Sequence, residues 1–261
     1  MLRKLSLKAS GRARLLIAFS ILVSPTMLLA DDHGRNAPSV TEIYACNLIN
    51  GATVEDVLKF GRGEFTEFAK DVGNDVGSYL WTPVSVAPPY QDISLRWVNH
   101  YPSWAEYDKG NAAWMSNDAD KLRKKLFSMI SCELPIYQQS HAILRTKVER
   151  PARLLIGRCE FNEGKDINDV KRDLTPTRSK AVAEAIGITR AHLISTPRVG
   201  ADASIDFLHL LLASRTDMAK LQDAGRTGAI QALSRQVSAG PQPHSCSVWD
   251  LHDSHYIYNS Q

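Results

Sequence analysis

The chain has 261 residues, 44% of them hydrophobic and 23% charged, a globular composition that excludes a collagen, a low-complexity polymer or a largely disordered tail. Its formal charge of +3 belongs to one end: Arg3, Lys4, Lys8, Arg12 and Arg14 lie in the first thirty residues, which hold no acid, so residues 31–261 carry 26 basic and 28 acidic side chains and a net −2. A weakly acidic body lacks the electrostatic footprint of a nucleic-acid or anionic-membrane binder.

The basic start is followed by the apolar run Leu15 to Val23, then Ser24-Pro25, then Met27 to Ala30 before Asp31-Asp32. That order predicts a secretory signal peptide over residues 1–30 with cleavage near Ala30, although Leu28 is larger than the small residue favoured two places before the cut. Leu15 to Ala30 is 16 residues, short of the roughly 20 that span a bilayer, and no later stretch approaches that length. The expectation is a periplasmic or secreted protein with no stable membrane span after cleavage.

In the body, Glu42 to Leu48 has strand character, Asn50-Gly51 a turn, and Thr53 caps a helix to about Lys70 with Val54, Val57, Leu58, Phe65 and Phe68 at helical spacing. Gly61-Arg62-Gly63 interrupts that helix and is too short to bind phosphate. Strands follow around Tyr79 to Val84 and Ile93 to Tyr101. Ser103 opens a second helix through Trp104, Tyr107 and Trp114, whose aromatics pack on the sheet, and Cys132 to Ile143 is a fourth strand. The same sequence of elements returns: Leu154 to Phe161, a helix from about Asp166 to Ile186, strands Ala191 to Val199 and Ser204 to Ala213, a helix Asp217 to Val237, and Ser245 to Tyr258.

The return is also visible residue by residue. Cys46-Asn47-Leu48-Ile49-Asn50-Gly51 with Asp56-Val57 matches Cys159-Glu160-Phe161-Asn162-Glu163-Gly164 with Asp169-Val170 at an offset of 113. Thr82-Pro83 matches Thr196-Pro197, and Ser131-Cys132 with Ser140-His141 matches Ser245-Cys246 with Ser254-His255, all at an offset of 114. A duplication follows, with copies at 41–143 and 153–258 joined by the charged linker 144–152. Strand, helix, strand, strand, helix, strand is the ferredoxin-like order, giving an α+β chain of two tandem ferredoxin-like (βαββαβ) repeats.

Two such units in tandem resemble the dimeric α+β barrel superfamily, and the Cys-Glu-Phe-Asn-Glu-Gly-Lys turn with its later Asp-Val resembles exported bacterial proteins of the tandem type. The resemblance implies two sheets facing each other around a shared interior, so that one chain forms a pseudo-dimeric barrel as a monomer. It also implies relatives of several kinds, cofactor-free monooxygenases, haem-dependent peroxidases and haem-degrading enzymes among them, so the fold does not select an activity.

Cys46, Cys132, Cys159 and Cys246 fall at the first and fourth strands of the two copies. These strands are antiparallel neighbours in a ferredoxin-like sheet, which pairs Cys46 with Cys132 and Cys159 with Cys246, and an exported compartment permits both bridges. No zinc-type Cys or His spacing and no Cys-x-x-Cys is present, so no metal site is expected. Strand alternation counted from the cysteines turns Arg96, His100, His141, Arg158, Glu160, Asp206 and His255 into the barrel, together with Glu133, Tyr137, Gln139, Trp249 and Asp253. An ionisable interior of this kind suits a small-molecule ligand site or a closed network of ion pairs. No nucleophile elbow, phosphate loop, dinucleotide fingerprint or His-Glu-x-x-His motif is present, and no cofactor is named by the sequence. Binding of a small ligand in the barrel is the leading reading. The alternatives are a monooxygenase-like enzyme with His141, His255 or His100 moving a proton, and a haem enzyme with one of them as axial ligand. Signal cleavage is checked by the intact mass of the exported protein: loss of about thirty residues is expected, and a mass matching all 261 residues would contradict it.

Overall fold

The computed structural model describes residues 38–200, 204–238 and 240–260; the expected signal peptide and cleavage near Ala30 fall outside them. The first copy runs β1 (Ser39–Leu48), α1 (Val54–Phe60), a π-helical turn (Gly61–Phe65), α2 (Thr66–Val72), β2 (Gly77–Ser85), β3 (Leu95–Tyr101), α3 (Trp104–Met115), α4 (Asp120–Phe127), β4 (Ile130–Cys132) and β5 (Ile136–Leu144). The second runs β6 (Ala152–Phe161), α5 (Ile167–Asp173), α6 (Pro176–Ala185), β7 (Arg190–Pro197), β8 (Phe207–Ser214), α7 (Arg215–Arg226), α8 (Ala229–Val237) and β9 (His244–Asn259).

The residues that repeat at an offset of 113 build the same turn twice. Gly51 and Gly164 take left-handed φ values of 74° and 68°, which glycine adopts without a Cβ clash. Two residues after each glycine, Thr53 with Asp56 and Asp166 with Asp169 form capping boxes on α1 and α5, satisfying amide donors that the first helical turn leaves free. The loudest repeat in the sequence is therefore a folding signal. The expected helix break at Gly61 is a π-turn rather than an end; a Cβ there would sit 3.1 Å from the Ile257 side chain, so the small residue lets α1 lie close on β9. The long helix expected over 166–186 is two helices, because Thr175 caps a new start with Pro176 at its first position and proline has no amide to continue the previous ladder.

Each copy orders its strands as the ferredoxin-like fold requires, β2-β3-β1-β5 and β7-β8-β6-β9, with short β4 beside the end of β1. The two sheets do more than face each other. β2 pairs with β9 and β5 with β7, all antiparallel, so eight strands close into a barrel and β4 extends its wall. Closure pairs every edge that a four-stranded sheet would otherwise expose. Helices cover the outside: Leu58, Phe60, Leu80, Leu95, Trp97 and Leu126 form the core under the first copy's helices, and Leu211, Ala213, Met218 and Leu221 the core of the second. A third cluster, Ile43, Trp81, Val98, Leu154, Ile156 and Leu210, lies inside the barrel.

Both disulfides form as expected, Cys46 to Cys132 and Cys159 to Cys246, because each pair is directly opposed in register. The strand that follows each fourth-strand cysteine departs from simple alternation. On β1 Cys46 faces Cys132 and Ile43 faces Ile136, so two residues oppose three; on β6 Cys159 faces Cys246 and Arg158 faces Val248, leaving Ser247 unopposed. One extra residue per copy reverses the facing of everything beyond it. Ile136, Gln138 and Ser140, and Val248, Asp250, His252 and Ser254, face the barrel. The expected inward set Tyr137, Gln139, His141, Trp249, Asp253 and His255 is corrected to the helix side.

Each bridge closes a loop of 86 or 87 residues, worth about 4 kcal/mol by chain entropy. Replacing Cys46 and Cys132 by alanine is expected to lower the unfolding free energy by about that amount in guanidinium titration, and a loss under about 1 kcal/mol would contradict the account.

Candidate functional site

The interior of the barrel holds a cavity of about 360 Å³, within the range of small-ligand pockets. Its sides are Ile43 and Ala45 from β1, Ile136 and Gln138 from β5, Ile156 from β6 and Leu208 and Leu210 from β8; its rim carries Glu133, Leu134, Pro197 and Gly200. Glu133 and Leu134 are exposed, Leu134 at 90%, and both sit in the extra-residue segment between β4 and β5. The bulge thus shapes the mouth as well as the strand.

One wall is charged. Arg158 donates from Nη2 at 2.7 Å and Nε at 3.2 Å to the same Asp250 oxygen, Oδ2, while Asp250 Oδ1 accepts from the Ala87 amide at 2.8 Å. Arg158 also donates to the carbonyls of Pro88 and Ala87 at 2.9 and 3.2 Å, tying the β2–β3 loop to the wall. Asp250 is buried, so its charge is tolerable only because this set satisfies it. Two guanidinium groups lie over the Tyr90 ring, that of Arg96 at 4.7 Å and that of Arg158 at 4.9 Å, a geometry favoured by the ring's negative face. Arg158 is paired and Arg96 is not: among the described residues no hydrogen bond or ion pair reaches its guanidinium, which lines the cavity. Burial pushes the Arg96 pKa down from its ordinary value, with Tyr90 and Asp250 acting against that, and an arginine so placed stays charged.

Behind the apolar sides runs a chain of buried polar groups. Ser195 donates to Gln138 Oε1 at 2.8 Å, so its oxygen receives the Ser140 hydroxyl at 2.8 Å; Ser140 then receives Thr41 at 2.7 Å. Thr41 has spent its proton, so His100 donates to it from Nδ1 at 2.8 Å. One direction of hydrogen bonding, set by the Gln138 carbonyl, fixes the His100 tautomer and leaves Nε2 as a lone pair. Burial lowers the His100 pKa to about 4, so the ring is neutral near pH 7.

Of the seven residues singled out from the sequence, Arg96, Arg158 and His100 share this interior. His141 lies on the helix side, its pKa lowered to about 4 by burial and by Lys171 and Arg198; His255 contacts Thr82 Oγ1 at 3.0 Å on that same side. Glu160 is exposed, and Asp206 accepts from the Phe161 amide at 2.6 Å, closing a strand end. Tyr90 and Asp250 were missed: Tyr90 sits in the β2–β3 loop, and Asp250 is displaced by the bulge at Ser247. Among the described residues the cavity lining contains no His, Cys or Met, and its one tyrosine is engaged by two guanidinium groups, so these residues do not fit a haem needing an axial donor there.

No protein-family model and no curated protein matches the sequence. Among solved structures, a candidate monooxygenase from Lactobacillus acidophilus is similar with a TM-score of 0.49 and 8% identity over 85% of this chain and 95% of that one. Chlorite dismutase from Candidatus Nitrospira defluvii, in complex with imidazole, is similar with a TM-score of 0.47 and 10% identity over 87% of this chain and 94% of that one. No residue role or reaction is taken from likenesses this distant.

All seven histidines among the described residues, 100, 141, 192, 209, 244, 252 and 255, are held below their ordinary pKa, with burial the first cause in each. A base depressed in the folded state binds its proton preferentially after unfolding, so stability is lost as pH falls from about 6.5 towards about 4. Buried Glu42, with its pKa raised by burial, acts in the opposite sense, since its folded form takes up a proton first as pH falls, but it is one group against seven. Denaturant titrations should therefore show unfolding free energy falling steadily below about pH 6.5; stability that is flat or rises on acidification to pH ~5 would contradict it.

Proposed function

We propose that this chain is an exported binding protein whose barrel holds a small organic anion with an apolar body. Arg96 carries the reading. Arg96 shares the cavity lining with Ile43, Ile156 and Leu210, and with Asp250 already committed to Arg158 and Glu133 exposed at the rim, its guanidinium is left for an incoming carboxylate, sulfonate or phosphate, and the fork geometry of arginine suits all three. Apart from Gln138 and the rim residue Glu133, the rest of the lining is largely apolar, so the remainder of the ligand is expected to be hydrocarbon or aromatic. The leader supports export, as do the two disulfides. A proton-transferring enzyme is the second reading, favoured by the hydroxyl chain that links His100 to the cavity wall; a histidine whose pKa is about 4 is a weak base at neutral pH, which places it second.

The probe is anilinonaphthalene sulfonate, an aromatic anion whose fluorescence rises in an apolar site. Wild-type protein is expected to bind it saturably, and Arg96→Gln to bind it about 10–100-fold more weakly, the worth of a hydrogen bond to a charged group. Circular dichroism confirms that the variant is folded. Equal affinity in wild type and Arg96→Gln would overturn the reading.

A further inference from the structure

On the helix side of the first copy a second cavity, of about 90 Å³, lies between the sheet and α2, α3 and α4. Its sheet wall holds a carboxylate without a counter-charge: Glu42 is buried, and among the described residues no Lys, Arg or His lines the cavity. The groups around Glu42 donate to it. Trp97 donates from Nε1 to Asn99 Oδ1 at 3.1 Å, and Ser78 from Oγ to the same oxygen at 2.8 Å. An indole nitrogen only donates, so the Asn99 amide is turned with Nδ2 towards Glu42 Oε2, at 2.9 Å. The hydroxyls of Tyr44 and Tyr137 reach Oε1 at 2.9 and 3.3 Å. A carboxyl that meets donors on both oxygens is arranged as the acceptor-only, charged form. Burial works against that charge and pushes the Glu42 pKa up, as for a carboxylate held without a cation.

The second copy shows what packing alone asks for at these places. At the offset of 113 Glu42 corresponds to Leu155, and Asn99, opposite Glu42 in register, corresponds to Leu211, opposite Leu155. Tyr101 corresponds in the same way to Ala213. Leu155, Leu211 and Ala213 pack in the apolar core of the second copy, so the scaffold folds with hydrocarbon where the first copy carries a buried acid, and the acid is held at a cost. A second polar atom is left over beside it. Asn74 is 6% exposed and lines the same cavity, and its Oδ1 is buried with no hydrogen-bond partner, a cost that a donor inside the cavity removes. A Cβ at Gly110 would collide with Asn74 Nδ2, so α3 keeps a glycine where this asparagine needs room. Aromatic rings complete the lining. Phe65 lies 5.0 Å from Trp97 and 6.0 Å from Trp114, and Phe68 lies 5.6 Å from Trp114, ring centre to ring centre. Aromatic faces attract cations, tryptophan most strongly.

We propose that this cavity binds a small alkylammonium ion, with Glu42 as its counter-charge, Asn74 Oδ1 as the acceptor of its N–H, and the rings of Trp97, Trp114, Phe65 and Phe68 around its alkyl groups. A carboxylate, an unfilled acceptor and aromatic rings in one enclosure select a cation over an anion or a neutral solute. A cavity of about 150 Å³ encloses benzene; one of about 90 Å³ takes about four or five non-hydrogen atoms, the size of trimethylammonium. Asn111 and Phe127 belong to the lining and are exposed, so the ion has a way in between α3 and α4. The site is independent of the barrel cavity and has the opposite charge preference.

The test titrates the full mature chain with trimethylammonium chloride, read by calorimetry and by tryptophan fluorescence, beside tert-butanol as a neutral molecule of the same shape. Wild-type protein should bind one trimethylammonium ion per chain, at least about tenfold more tightly than tert-butanol. Glu42→Gln, which keeps the shape and removes the charge, should weaken binding by about 10–100-fold, and Asn74→Ala by about tenfold. Should Glu42→Gln not fold, Glu42→Leu combined with Asn99→Leu brings in the side chains of the second copy and should give a folded chain that does not bind. The comparison of the two molecules on wild type needs no variant. Absence of saturable binding, tert-butanol bound as tightly as trimethylammonium, or undiminished binding in a folded Glu42 variant would overturn the site.

Discussion

Closure of the barrel through the β2–β9 and β5–β7 ladders is the constraint on which the interior depends. A single ferredoxin-like sheet has one face under helices and the other open to water, so the inner residues of either copy alone would be solvated. Joined edge to edge, the two sheets enclose those residues and lower the dielectric around them, which strengthens the Arg158–Asp250 pair and raises the cost of leaving Arg96 without a counter-charge. The same enclosure allows a chain of short hydroxyl bonds from His100 to Gln138 to persist without water competing for each member. Duplication within one chain supplies both halves at fixed stoichiometry, and the bridges anchor β4 to β1 and β9 to β6, where each copy's first and fourth strands meet.

Much of this was legible in the sequence, for identifiable reasons. Cysteine spacings of 86 and 87, the repeated turn with its glycine and capping residues, and the order of strand and helix periods fixed the tandem architecture and both disulfides. Arg96, Arg158 and His100 were found because β3 and β6 alternate regularly through those positions. His141 and His255 were misplaced by one extra residue in each copy, at Glu133–Pro135 and at Ser247. Alternation carries no record of such an insertion: moving the frame by one exchanges Asp250 and His252 for Trp249 and Asp253, and both pairs combine an acid with a ring. Tyr90 lies in a loop whose position depends on the Arg158 contacts, so no local period could reveal it.

The copies share a frame and divide the chemistry. The first contributes Arg96, Trp81 and the Tyr90 loop to the cavity, and the second contributes Arg158 and Asp250, so the cavity is asymmetric although both copies order their strands alike. Outside the barrel the copies also differ, with Trp97 packed in the cluster of the first disulfide and His209 beside the second. In a duplicated scaffold one face can vary while the other keeps the fold, because side chains alternate between inside and outside along each regular stretch of strand.

The central claim is that Arg96 is the anchoring charge of an enclosed ligand site. A crystal structure of the mature chain grown with an aromatic carboxylate tests it most directly. The account predicts density inside the barrel, with the carboxylate within hydrogen-bond distance of the Arg96 guanidinium and the ring among Ile43, Ile156 and Leu210. A carboxylate bound elsewhere while Arg96 points into an empty cavity, or an Arg96 turned away into an ion pair with another part of the chain, would contradict it.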